Sequence, residues 1–172
     1  LRSVRDFAAE ELARPDNFPG SGPALALAAH RRHAAHFASL TEAEAIAGHC
    51  VELDNLVRAC EQSIIDEHAA QALACLRLAW AALRMAGPFA HALPLAERVR
   101  AMPALQGVQA AWVDHVTGTI WMARGDRERA RALAERALGP AQEAADLPAL
   151  TAIQCLMGEV ELGAGNFAAA EG

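Results

Sequence analysis

His30, His33 and His36 recur every three residues in HRRHAAHF, and two imidazoles three apart on one helix face can share a metal ion. Three successive steps of three drift around the helix, and no carboxylate or cysteine inside it completes a ligand set. The trio therefore reads as a partly buried structural helix, with no metal. Asp114 and His115 are sequence neighbours, so on a helix they point apart and cannot form a simple acid–base pair. No serine lies in a GxSxG setting, and no Cys–His pair has a supporting motif. All 15 basic residues are arginine, so the lysine that grips phosphate in a P-loop cannot be supplied. Arg31–Arg32 is too short for a nucleic-acid patch in a chain of formal net charge -6. These observations argue against an enzyme, imply no cofactor, and exclude a direct nucleic-acid contact by this chain. Recognition is the chemistry that remains.

The elements that would present such chemistry are helical. Alanine occupies 43 of the 172 positions, whereas Val, Ile and Thr together number 17 and Tyr is absent. Alanine has the best helix propensity, and sheets favour β-branched and aromatic residues, so the composition predicts an all-α chain. Cys50, Cys60, Cys75 and Cys155 form no CxxC pair and read as reduced, small core residues of a cytoplasmic protein. Charges or histidines interrupt every Ala/Leu run short of the ~20 apolar residues of a membrane span. The opening LRSVRDF has no signal-peptide pattern, and the closing GNFAAAEG reads as a helix cut short, as in a piece of a longer protein.

Apolar spacing predicts a helix over 1–14 and a loop punctuated by Pro15, Pro19, Gly20, Gly22 and Pro23. A second helix follows over 24–40. Thr41 and Glu44 form a capping box for a helix running through Ile65, with Gly48 as its one candidate break, and Asp66 caps the next helix, to about Met85. Beyond that point a repeat emerges. Gly87, Gly125 and Gly165 lie 38 and 40 residues apart, each between two helical stretches and each followed five residues later by Ala92, Ala130 or Ala170. Gly118 and Gly158 stand seven residues before their turn glycines, a place that Trp80 takes in the first unit. Each unit reads as a helical hairpin whose turn glycine relieves strain at a helix C-terminus. Gly118, Ala130 and Ala134 let paired helices approach closely, while Trp80, Leu83 and Trp121 fill wider gaps.

The segment GTIWMARGDRERARALAERALGP resembles the tetratricopeptide repeat, keeping its Gly, bulky aromatic, turn Gly-Asp, Ala, Ala, Ala-Leu and Pro in order. Its neighbours depart from the pattern at Trp80 and Glu161, and the spacing exceeds the standard ~34 residues. Upstream, LRSVRDFAAEEL resembles the segment that leaves the winged-helix domain in signal-transduction ATPases with numerous domains, the maltose-activator-like and antibiotic-regulator-like bacterial transcription regulators. RRHAAHF and ELDNLVRAC resemble two further helices of that class, with Val57 where Arg is usual. The resemblance gives His33 a packing role. It also invites a catalytic reading of Asp54 and Asn55, but such residues inside a helix more often tie down neighbouring backbone, and an orienting role fits better.

The resemblance implies a right-handed superhelix of antiparallel helical hairpins over 23–172, truncated at its C-terminus and preceded over 1–22 by the winged-helix junction. It implies a parent with a nucleotide-binding module upstream and DNA-binding elements elsewhere. In such an α-solenoid the first helix of every hairpin lines a concave groove. With Trp80, Gly118 and Gly158 facing the core, the groove would show Arg77 and Arg84, then His115, Thr119 and Met122, then Cys155 and Glu159. Arg77 and Arg84, two turns apart, suit a carboxylate or phosphate and are expected to be free of the acidic neighbours Asp114 and Glu159. The expected function is a sensor module that recognises a protein, peptide or small effector. The alternative is a scaffold that holds another protein and senses nothing. Weak self-association through the apolar face of 152–162 is also expected.

Overall fold

The alanine-rich stretches become helices one after another. The structure, a computed structural model, describes residues 4–87 and 91–164. Among the described residues there are nine α-helices and no strand: α1 (Val4–Ala13), α2 (Pro23–Ala38), α3 (Glu42–Cys50), α4 (Leu53–Ile65), α5 (Ala69–Ala86), α6 (Ala92–Arg100), α7 (Gly107–Ala123), α8 (Arg127–Glu143) and α9 (Leu147–Gly163). The third turn glycine, Gly165, with Ala170, lies outside the described residues.

Local chemistry sets the helix boundaries. Thr41 and Glu44 form the expected capping box: the Thr41 N–H donates to Glu44 Oε2 at 2.7 Å, and the Glu44 N–H donates back to Thr41 Oγ1 at 3.3 Å. The helix started there does break once, as α3 gives way to α4 after Gly48 and Cys50, both at positive φ. Asp126 and Asp146 cap α8 and α9 by accepting from the N–H groups of Arg129 and Ala149. Two boundary expectations need correction. Pro23 opens α2 rather than closing the loop, because the first turn of a helix has no use for its missing N–H. Asp66 ends α4 instead of starting α5; its carboxylate is taken by Arg31 and Gln62, and α5 begins at Ala69.

The helices pack in two layers. α3, α5, α7 and α9 lie side by side in that order, and α2, α4 and α6 stack behind them, with α8 paired to α7. Asp114 meets Arg136 while Gly118 meets Ala130, so α7 and α8 run antiparallel; Arg131 meets Glu161 while Arg127 meets Gly163, so α8 and α9 do too. His115 meets Ala152 and Gly118 meets Leu156, so α7 and α9 run parallel.

Two glycines show different needs. Gly125 has φ +83° and open space around it, so the turn between α7 and α8 requires its backbone freedom. Gly118 has ordinary helical φ but no room: a Cβ there would lie 2.7 Å from Leu156 Cδ2 and 3.4 Å from the Ala130 carbonyl oxygen. On α8 the facing stripe is alanine throughout, with Ala130, Ala134, Ala137 and Ala141 all fully buried. Trp80 and Leu83 are buried in the larger core, as expected. Trp121 is only half-buried: it packs at the edge of the smaller core, with the guanidiniums of Arg124 and Arg129 over its ring. The four cysteines are free; Cys50, Cys60 and Cys75 are buried, but Cys155 is exposed rather than a core residue.

Candidate functional site

Helices α5, α7 and α9 present their outer faces to one groove of about 300 Å³. Its walls include Arg77 and Arg84 from α5, His115 and Thr119 from α7, and Cys155 and Glu159 from α9. The heptad step from Arg77 to Arg84 and the matching register of the two later helices bring these six side chains together. Met122 does not join them. It packs half-buried against the α8–α9 core, because one further turn along α7 carries it past the groove and onto the hairpin interior.

Arg77 is exposed at the groove, its guanidinium carbon 3.9 Å from the centre of the Trp112 ring, a cation–π distance. No carboxylate lies within ion-pair distance of it among the described residues. Crowding in the groove pulls its pKa down, with the charges of Glu42 and Asp146 opposing. Arg84 differs from expectation. It is paired with Glu42 of α3, whose carboxylate forms the rim of the groove. Both partners are more than half exposed, so the pair contributes roughly 0–1 kcal/mol.

His115 sits between the two walls. Burial first, then the positive charge of Arg77, pulls its pKa to about 4, and a hydrogen bond to the Ala152 carbonyl opposes the shift. The ring is therefore neutral at physiological pH. Its Nδ1 is closed off from solvent and has no hydrogen-bond partner. The Thr119 hydroxyl donates inward to the Val116 carbonyl at 2.7 Å. Glu159 is exposed and makes no ion pair among the described residues.

Asp114, the acidic neighbour from which the groove arginines were expected to be free, faces the opposite way. It is buried between α6, α7 and α8, where Arg100 Nε donates at 2.9 Å and Arg136 donates twice at 2.7 Å. Among the upstream motifs, His33 is half-buried, hydrogen-bonded to Asn55 and tilted 46° against the Phe37 ring, with 4.6 Å between the ring centres. Asn55 also donates to Glu52 Oε2 at 2.7 Å. That pair ties α2 to the start of α4, the orienting role expected of Asn55, while Asp54 is exposed beside it.

Sequence reasoning missed Trp112 and Glu42. Trp112 stands three residues before His115 and so shares its face, a signal present in the spacing. Glu42 carried no such signal, since its helix precedes the repeat and its register to α5 is set only by packing. Compared with protein-family models, curated proteins and solved structures, the chain matches none of them.

Proposed function

We propose that this chain is the ligand- or partner-binding sensor region of a bacterial transcription regulator, built as a tetratricopeptide-like right-handed superhelix. The observation that carries the reading is the convergence of Arg77, Arg84, His115, Thr119, Cys155 and Glu159 on one groove. Those six positions are among the seven that the repeat register assigns to the groove, Met122 being the one that lies elsewhere. The packing of α7, α8 and α9, with α7 and α9 parallel and α8 antiparallel to both, is what stacked hairpins produce.

In this reading the groove holds a protein segment, peptide or small effector, and the parent's ATPase and DNA-binding elements carry the response. A ligand shifts the parent's balance only by as much as it prefers one of two states. A groove shared by three separate helices suits that task, because small movements between hairpins change its width. The reading is tested on the parent's reading frame. A nucleotide-binding module with a P-loop lysine ahead of these residues is the expected result. A parent with no such module would contradict the sensor reading and leave a scaffold.

A further inference from the structure

A second cavity, of about 510 Å³, lies away from the groove and shares no lining residue with it. It opens between α1, α2 and α4, and the function proposed above does not use it. Small residues account for the space. α1 packs chiefly on α2, and the two helices line the cavity with Ala8, Ala9 and Ala29. Side chains of that size leave the gap toward α4 unfilled, where a close-packed interior would have none. On α4 the facing stripe is Asn55, Arg58, Gln62 and Ile65, at steps of three and four along one face. Sites for small molecules run from roughly 300 to 1,000 Å³, so the cavity is of the size such a ligand needs.

The cavity has a polar end and an apolar end. His33 of α2 meets Asn55 near the start of α4, whereas Arg31 reaches Asp66 just past its end, so the two helices run antiparallel. The Gly22 N–H donates to the Leu12 carbonyl at 2.9 Å, which pins the end of α1 to the start of α2. Leu12 and Ile65 therefore share one end, and His33, Asn55 and Arg58 share the other. Ile65 is 69% exposed, an apolar side chain left to solvent. At the polar end Asn55 is committed to Glu52 and to His33, and burial lowers the His33 pKa, so that ring is neutral at physiological pH. Glu61, the acid on this wall, is held by Arg98 of α6. His30 also lines the cavity, exposed. The fixed charge is thus one exposed guanidinium, Arg58, with no carboxylate within ion-pair distance among the described residues.

One cation at the end of an apolar slot is complementary to a monoanion with an apolar tail. We propose that the cavity binds a medium-chain monocarboxylate, its carboxylate on the Arg58 guanidinium and its chain running toward Leu12 and Ile65. The planar fork matches a carboxylate in two parallel hydrogen bonds. Seven residues separate Arg58 from Ile65, about 10 Å along α4, which an extended chain of about eight carbons covers. A phosphate monoester brings a second negative charge that one guanidinium does not match, and a cationic head is repelled.

Isothermal titration calorimetry of the 172-residue chain with octanoate, hexanoate, 1-octanol and octylamine tests this. Octanoate should bind with a Kd below about 1 mM, and hexanoate, two methylenes shorter, about tenfold more weakly. Octanol and octylamine, with the same tail and no anion, should also lose about tenfold or more. Arg58→Gln, at an exposed site, should weaken octanoate about tenfold, whereas Arg32→Gln, outside the cavity, should leave it unchanged. Ala9→Leu and Ala29→Leu fill the space from two different helices, and whichever folds should abolish binding. No binding of octanoate, equal binding of octanoate and octanol, or full affinity in Arg58→Gln or in a folded filled variant would overturn the proposal. Arg77→Ala should not change octanoate binding; a loss there would put the acid in the groove and overturn the assignment to this cavity.

Discussion

Replacing Asp114 with Ala should destabilise the fold more than replacing Arg77, Arg84, Thr119 or Glu159 in the groove. The Asp114 side chain is 3% exposed and accepts three hydrogen bonds from two arginines, one of them bidentate. Hydrogen bonds to charged groups contribute about 1.5–3 kcal/mol each when measured singly, and they are not additive. Removing one partner of a buried pair costs roughly 3–5 kcal/mol when the other charge is stranded. Here the guanidiniums of Arg100 and Arg136 are 39% and 55% exposed, so water can take them up. The net cost should therefore be about 2–3 kcal/mol, a large share of the 5–15 kcal/mol that holds a typical domain together. For a chain of this length that lowers Tm by roughly 5–10 °C, read by circular dichroism at 222 nm. Arg136→Ala should cost more than Arg100→Ala, because Arg136 makes two of the three bonds. A Tm loss of under about 1 °C for Asp114→Ala would refute the clamp between α6, α7 and α8.

Other perturbations have definite signs. His115 is neutral in the fold, with a pKa near 4, and regains the ordinary value of 6.5 on unfolding. The unfolded chain thus binds the extra proton, and stability should fall by up to about 3 kcal/mol as pH drops from 6.5 to 4; His115→Gln should flatten that part of the urea-midpoint profile. Thr41→Ala should cost about 1 kcal/mol by removing one half of the capping box, measured by chemical denaturation. Gly118→Ala should lose roughly 1–2 kcal/mol against Leu156, whereas Gly139→Ala, exposed on α8 with nothing within 4 Å, should gain about 0.5–1 kcal/mol. Equal effects at the two glycines would contradict the close approach of α7, α8 and α9.

The helices and their pairing were legible because the signals are local. The Thr41–Glu44 box, the turn glycines and the 130/134/137/141 alanine stripe each act within a few residues of themselves. The groove face was legible for the same reason, since Trp80 and Gly118 fix which side of α5 and α7 turns inward. What the sequence did not carry was contact between distant segments. Asp66 looks like an N-cap until Arg31, 35 residues away, takes its carboxylate. Arg84 looks unpaired until α3 is packed beside α5, and Asp114 looks available until α6 and α8 close around it. Met122 shows the remaining weakness: a face drawn forward along a helix drifts from groove to core within one turn.

In the proposed function the groove reads a ligand and the rest of the chain holds it. The most direct measurement is the transcriptional output of the parent regulator carrying Arg77→Ala and Arg84→Ala together, with Arg98→Ala as a control on a different face. Exposed arginines contribute little to stability, so the double variant should fold with a Tm within about 2 °C of the original. Its response should be lost while the Arg98→Ala control responds normally, if the groove is the sensor. A double variant that folds and responds like the original would contradict it.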